Sequence, residues 1–223
     1  MPETGGAADG VEALVRVVME LEADHRVSDA VEERTREFQE ANRADSAKWF
    51  EELTYCLLTA YSSASIGQRC VDALYGGDML TKGGIEDVRA CLRAQGHRFA
   101  DRRAEYIVAA RTNAPRLKEI IQGQPSSKAA REWLVGKING LGMKEASHFL
   151  RNVGYLDLAI IDRHILSHMR EHGLADEDVE KGITKKRYLE YEATLEKVAN
   201  KLGMPVGKMD LYLWYKKTGS VMK

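Results

Sequence analysis

The sequence predicts an all-α protein. Apolar residues recur at helical spacing from Val11 onward, and no stretch of five or more residues alternates as a strand would. Glycines, prolines and small polar residues fall at intervals that suit helix ends. The first ten residues, MPETGGAADG, lack the basic segment and apolar run of a signal peptide and read as a short flexible tail. In DSAKWFEELTYCLLTAYSS, Trp49, Leu53, Leu57 and Tyr61 recur every four residues and predict one buried stripe. The glycines that close VDALYGG suit a helix C-terminus. RFADRRAEYIVAARTNAP predicts a helix that starts after Gly96 and stops near Asn113, because Pro115 turns the residue before it away from helical backbone. PSSKAAREWLVGKI opens on a proline and serines, and KEASHFLRNVG follows a glycine-rich turn. DRHILSHMREHG, KKRYLEYEATLEKVANKLG and GKMDLYLWYKK complete a set of roughly ten short helices with no repeat period.

Composition narrows the function classes. With 223 residues, 44% of them hydrophobic and 30% charged, the chain can bury a real core and is not of disordered type. Its net charge of −1 excludes coating nucleic acid by bulk electrostatics, so any polyanion has to be held locally. No apolar run reaches the roughly eighteen residues of a membrane span, and the cytoplasm is the expected location. Cys56, Cys70 and Cys91 are odd in number and widely spaced, which fits buried small residues better than a disulfide framework or a thiolate metal site. His164, His168 and His172 line one helix face at a spacing that can bind zinc, but no cysteine or HExxH partner is near, and they read as solvated or capping residues.

The chemistry concentrates in INGLGMKEASHFLRNVG, residues 138–154. Asn139, Gly140, Leu141 and Gly142 separate two amphipathic helices, with Ile138 and Leu141 as apolar contacts. Such a helix-hairpin-helix turns tightly on its glycines and aims the free amides of its second helix outward, toward a phosphate oxygen. Lys144 sits in the first turn of that helix, where the partial positive charge of the helix end disfavours a cation. A neutral lysine amine is a nucleophile that forms Schiff bases. Eighteen residues later, LAIIDRHIL delivers Asp162 to the start of the next helix, where a carboxylate can cap the helix and also act as a base or stabilise a cationic sugar. Each feature also has a plain reading: a closed αα-hairpin, a surface lysine, an N-cap.

Taken together, GLGMKEASHFLRNVG and AIIDRHIL resemble the helix-hairpin-helix DNA glycosylase superfamily, and the terminus TGSVMK after LYLWYKK resembles its archaeal-type 8-oxoguanine DNA glycosylase/AP lyase family. The similarity runs over nearly the whole chain after about residue 40. The resemblance implies two helical lobes with a cleft: residues 11–44 with 156–223 as a terminal lobe, and 45–155 as a central lobe carrying the hairpin. It implies a bifunctional enzyme in which Lys144 attacks the sugar C1′, the damaged base leaves, and β-elimination nicks the strand, with Asp162 as the catalytic aspartate. It further implies Phe99 and Trp214 as the aromatic sandwich for the extruded base, and the C-terminal Lys223 as the group that tells 8-oxoguanine from guanine. A terminal carboxylate can accept from the N7–H that only the oxidised base carries. The segment 63–68, with Ser65 and Gln68, resembles the loop that enters the gap left by the flipped nucleotide. Arg98, Arg102, Arg103 and the run at 181–187 are candidates for phosphate contacts.

By the same resemblance the partner is double-stranded DNA containing oxidised guanine, acted on by a monomer without need of a cofactor. A monovalent cation held by hairpin carbonyls fits the family, while the absence of a C-terminal four-cysteine cluster excludes an iron–sulfur centre. Two other functions fit the residues less fully: a non-catalytic hairpin module that grips DNA, and a glycosylase for another oxidised base.

Overall fold

The computed structural model describes residues 4–176 and 183–223. Of the basic run at 181–187, Lys181 and Gly182 lie outside the described residues. Among the described residues the chain forms twelve α-helices, one 3-10 turn and no strand. It divides into two compact units, one of Phe38–Gly154 and the other of Met1–Glu37 with Tyr155–Lys223.

The unit Phe38–Gly154 contains the end of α2 (His25–Arg43), then α3 (Ser46–Thr59), α4 (Ala64–Gly76), α5 (Ile85–Ala94) and α6 (Ala100–Ala110). A 3-10 turn, Ala114–Arg116, leads into α7 (Leu117–Gln122), α8 (Ser127–Lys137) and α9 (Met143–Asn152). Its centre is α3, against which α4, α6, α7 and α9 pack. The predicted stripe is correct at Trp49, Leu53 and Leu57, none of which reaches solvent, but α3 is buried all round, with Phe50, Tyr55, Cys56 and Leu58 also inside. Tyr61 departs from the expectation altogether. The helix ends at Thr59, before the stripe repeats, and Tyr61 is 88% exposed. The carbonyls of Leu58 and Ala60 bond to His97 and Arg103 instead of to a further helical turn. The helix predicted after Gly96 likewise starts later, at Ala100, because the Phe99 N–H turns back to His97 Nδ1 (3.2 Å).

Buried polar side chains fix the α8–α9 hairpin on this core. Arg131 Nη1 of α8 donates to Ser147 Oγ of α9 (3.1 Å), and Asn152 Nδ2 at the end of α9 donates to Glu52 Oε2 of α3 (3.3 Å). All four residues are buried, so these bonds join groups that are shielded from water. Cys56 and Cys70 are buried and Cys91 half-buried, all as free thiols; burial pushes the Cys70 thiol up to about 11.

The other unit comprises α1 (Thr4–Ala23), the first part of α2, α10 (Arg163–Glu171), α11 (Lys185–Leu202) and α12 (Val206–Thr218). Here α1 packs on α11 and α12, and α10 packs on α12. The tail predicted over residues 1–10 is helical from Thr4. Gly10 explains this: it lies so close to the His172 carbonyl and the Leu174 side chain that no Cβ would fit, which makes the glycine a packing contact of α1. The histidine series also differs from the expectation. His168 is buried, with Nε2 donating to the Leu213 carbonyl (2.9 Å), and so joins α10 to α12. His172 stays at the end of α10, Nδ1 to the His168 carbonyl (2.8 Å). Among the described residues no helix is long and apolar enough to cross a membrane, and no three His, Cys, Asp or Glu side chains gather to hold a metal ion.

Candidate active site

The hairpin is built by its backbone. Ile138 leaves α8 in extended conformation, and the Leu141 N–H returns to the Ile138 carbonyl (3.3 Å). Gly140 has φ +90°, and a Cβ there would land on the Tyr106 ring, so the turn presses its backbone directly against an aromatic face. Ile138 and Leu141 are buried and anchor the turn, while Asn139 and Gly142 face solvent. Gly142 caps α9: its N–H donates to Glu145 Oε2 (3.2 Å), a carboxylate well placed at a helix N-terminus.

Lys144 occupies the second position of α9, its side chain 27% exposed. Its Nζ lies 3.8 Å from Glu145 Oε1, an electrostatic contact too long for a hydrogen bond, and has no hydrogen-bond partner among the described residues. The amine thus leaves the hairpin on a fixed helix turn with only this long contact to Glu145 among the described residues.

Asp162 is positioned by different means. The segment before it, 155–161, is neither helix nor strand, and α11 satisfies its backbone. Tyr188 Oη donates to the Ala159 carbonyl (2.7 Å) and accepts from the Ile161 N–H (3.3 Å), while Glu192 Oε1 accepts from the Ala159 N–H (3.1 Å). Asp162 then caps α10 through one oxygen, Oδ1 accepting from the His164 and Ile165 N–H groups (2.8 and 2.9 Å). Oδ2 keeps its acceptor capacity, with no hydrogen bond among the described residues. The N-cap and a free carboxylate oxygen therefore coexist in one side chain.

The chain matches the family described as 8-oxoguanine DNA glycosylase over residues 31–204. It belongs to that family. It is 44% identical to the 8-oxoguanine DNA glycosylase/AP lyase of Korarchaeum cryptofilum over 214 residues, which cover 96% of this chain and 100% of that protein. The Thermotoga maritima 8-oxoguanine DNA glycosylase structure is similar with a TM-score of 0.87 at 40% identity, over 96% of this chain and 100% of that one. A Methanocaldococcus jannaschii 8-oxoguanine glycosylase/lyase, solved in complex with 15mer DNA containing 8-oxoguanine, is similar with a TM-score of 0.89 at 39% identity, over 95% and 100%.

In this 8-oxoguanine glycosylase family member, the other candidate residues fall into two groups. Phe99 is half-buried as the residue that caps α6, with the Arg98 guanidinium 5.1 Å from its ring centroid and the Tyr61 ring edge-on at 6.5 Å. Ser63 caps α4 and touches Ser65 (Oγ to Oγ, 3.1 Å); Gln68, one turn on, bonds to Asp72 (2.8 Å). Arg102 is exposed and paired with Glu105, whereas Arg103 is buried, so it supports structure rather than meeting a phosphate. In the other unit, Trp214 is half-buried with its ring 4.7 Å from that of His164, and its indole Nε1 is buried without a hydrogen-bond partner among the described residues. Lys223 is half-buried, and the Val221 carbonyl two residues before it accepts from Arg34 Nη2 (3.4 Å), which ties the C-terminal segment to α2.

The residues missed by sequence reasoning are the supports: Tyr106 behind Gly140, His97 beside Phe99, Tyr188 and Glu192 behind Asp162; Arg103 was named for a phosphate and is a support instead. One signal was present. Glu192 falls on the stripe formed by Tyr188, Tyr191, Leu195, Val198 and Ala199, and a carboxylate on an apolar helix face needs a buried partner.

Proposed function

We infer that this chain is a bifunctional DNA-repair enzyme that removes 8-oxoguanine from double-stranded DNA and then cleaves the strand as an AP lyase. The observation that carries this reading is a match over 96% and 94% of this chain to relatives named 8-oxoguanine DNA glycosylase/AP lyase. The hairpin amides and Asn139 hold the backbone; Ser65, Gln68 and Arg98 meet the strand around the lesion. The damaged nucleotide is extruded, and its base stacks on Phe99 and Trp214. The Lys223 carboxylate accepts from N7–H; guanine presents a lone pair at N7 in place of that hydrogen, so the undamaged base is disfavoured.

Lys144 Nζ attacks C1′ as the bond from C1′ to the base breaks, and the base departs with the electron pair. Asp162 Oδ2 takes up the proton lost by the amine and offsets positive charge on the sugar. The sugar ring then opens: the amine lone pair forms C=N as the C1′–O4′ bond breaks, and O4′ takes back the proton that Asp162 holds. The resulting protonated Schiff base makes a C2′ proton acidic; its removal expels the 3′-phosphate and nicks the strand. No cofactor supplies any of these steps. A monovalent cation at the hairpin is compatible with the donors there: the Ile138 and Gly142 carbonyls each accept one backbone hydrogen bond, from Leu141 and Ala146, and keep a second lone pair. As a repair enzyme it is assigned to the cytoplasm.

The test is borohydride trapping on a duplex with one 8-oxoguanine. Wild-type protein is expected to form a covalent adduct, and Lys144→Gln and Lys144→Ala none. A wild-type protein that binds the duplex and is never trapped reduces the hairpin to a grip without chemistry.

A further inference from the structure

Residues 219–223 leave α12 under two kinds of control. The first is local: Gly219, at φ +72°, closes the helix with its N–H on the Tyr215 carbonyl (2.8 Å), and Thr218 Oγ1 accepts from the Ser220 N–H (3.4 Å). Those bonds reach no further than Ser220. The second comes from α2, whose first part lies in the same unit of the fold. Arg34 Nη2 donates to the Val221 carbonyl (3.4 Å), and Nη1 of the same guanidinium is paired with Glu37, one turn along α2. Arg34 Nε is buried and has no hydrogen-bond partner among the described residues, so its own helix does not use up the donors of this cation. A planar guanidinium held at one nitrogen by Glu37 aims its others in a fixed direction. One of them meets the chain two residues before Lys223.

We propose that Arg34 is a positioning residue for the recognition of the oxidised base: by holding the Val221 carbonyl it sets where the Lys223 carboxylate stands. The proposal rests on the reading that this carboxylate accepts from N7–H of the extruded base. A carboxylate on a loose chain end has to be ordered each time a base enters, and that ordering weakens the bond it makes. Held two residues before its end, the chain presents the acceptor already in place. Arg34 acts through the chain end and not on the sugar, so cleavage at an abasic site, where there is no base to read, does not call on it.

The experiment measures single-turnover excision from a duplex with one 8-oxoguanine, and strand cleavage of a duplex with a preformed abasic site, for the parent, Arg34→Ala, Arg34→Met and a chain shortened by Lys223. Methionine keeps an apolar stem at this position and removes every donor, so a loss that it shares with alanine belongs to the guanidinium. Excision is expected to fall about tenfold in both variants, the scale of one hydrogen bond made by a charged group, while abasic-site cleavage stays within about twofold of the parent. In the shortened chain, Arg34→Met is expected to change nothing further, because the group it positions is gone. The proposal is overturned by a methionine variant that excises like the parent, by an equal loss at the abasic site, or by a loss in the shortened chain as large as in the full one. If removing Lys223 leaves excision at the parent's rate, the carboxylate reading falls and the role of Arg34 falls with it. A failure of the enzymatic reading looks different: the wild-type chain then forms no borohydride adduct on either duplex.

Discussion

At the α8–α9 turn the backbone itself makes the site, whereas before α10 side chains from a helix some thirty residues further on make it. Gly140 folds the hairpin onto the Tyr106 ring, Gly142 opens α9, and Lys144 follows within two residues. Asp162 has no such local cause. The segment 155–161 has no ladder or helix to satisfy its amides, and it holds its course because Tyr188 and Glu192 bond to Ala159 and Ile161. A lysine on a short rigid turn and a carboxylate on a pinned irregular segment should therefore fail in different ways when their supports are removed.

The largest expected effect is on the hairpin. Gly140→Ala places a Cβ at φ +90° against an aromatic ring, and the strain and overpacking together should cost roughly 2–4 kcal/mol. Urea unfolding measures this. Adding Tyr106→Ala should return only the overpacking share, because the backbone strain remains; full recovery would show that the positive φ costs nothing there.

On the other side, Tyr188→Phe removes the donor to the Ala159 carbonyl and the acceptor for the Ile161 N–H while keeping the ring. About 1–3 kcal/mol of stability should be lost, the penalty for buried polar groups left without partners. Because the bonds lie just before Asp162, single-turnover excision should slow more than duplex binding weakens. Equal losses in both, or none in either, would mean that Asp162 holds its place through its cap on α10 alone.

This contrast also explains what was legible in the sequence. The hairpin and Lys144 were legible because glycine spacing and helix phase are local properties. Asp162 was legible as a cap and only the resemblance made it more. Its supports were not, since a tyrosine and a glutamate on α11 look like any amphipathic pair until the fold brings 155–161 against them. Tyr61 is the clearest error: helical spacing extended the buried stripe to it, but α3 ends at Thr59, with His97 and Arg103, distant in sequence, on its last carbonyls, and the ring turns outward. Local periodicity does not register contacts of that range.

The smallest effect is one of pH, and it compares the two units through one buried histidine in each. Burial holds His97, bonded to the Leu58 carbonyl, and His168, bonded to the Leu213 carbonyl, below the ordinary imidazole value; Lys217 adds to this at His168, and Glu171 opposes it. The sign follows from linkage. The unfolded chain takes up a proton near pH 6.5 that the folded chain still refuses, so the stability is fully present above about pH 6.5 and is lost as the pH falls toward the folded values. Unfolding midpoints should be flat from about pH 8 to 7 and decline between about pH 6.5 and 5, before most carboxylates titrate. His168→Gln should flatten part of that decline and leave the share due to His97. If the slope is unchanged in His168→Gln and in the matching His97→Gln, the protons are taken up elsewhere, and burial at these two sites is not what sets the decline.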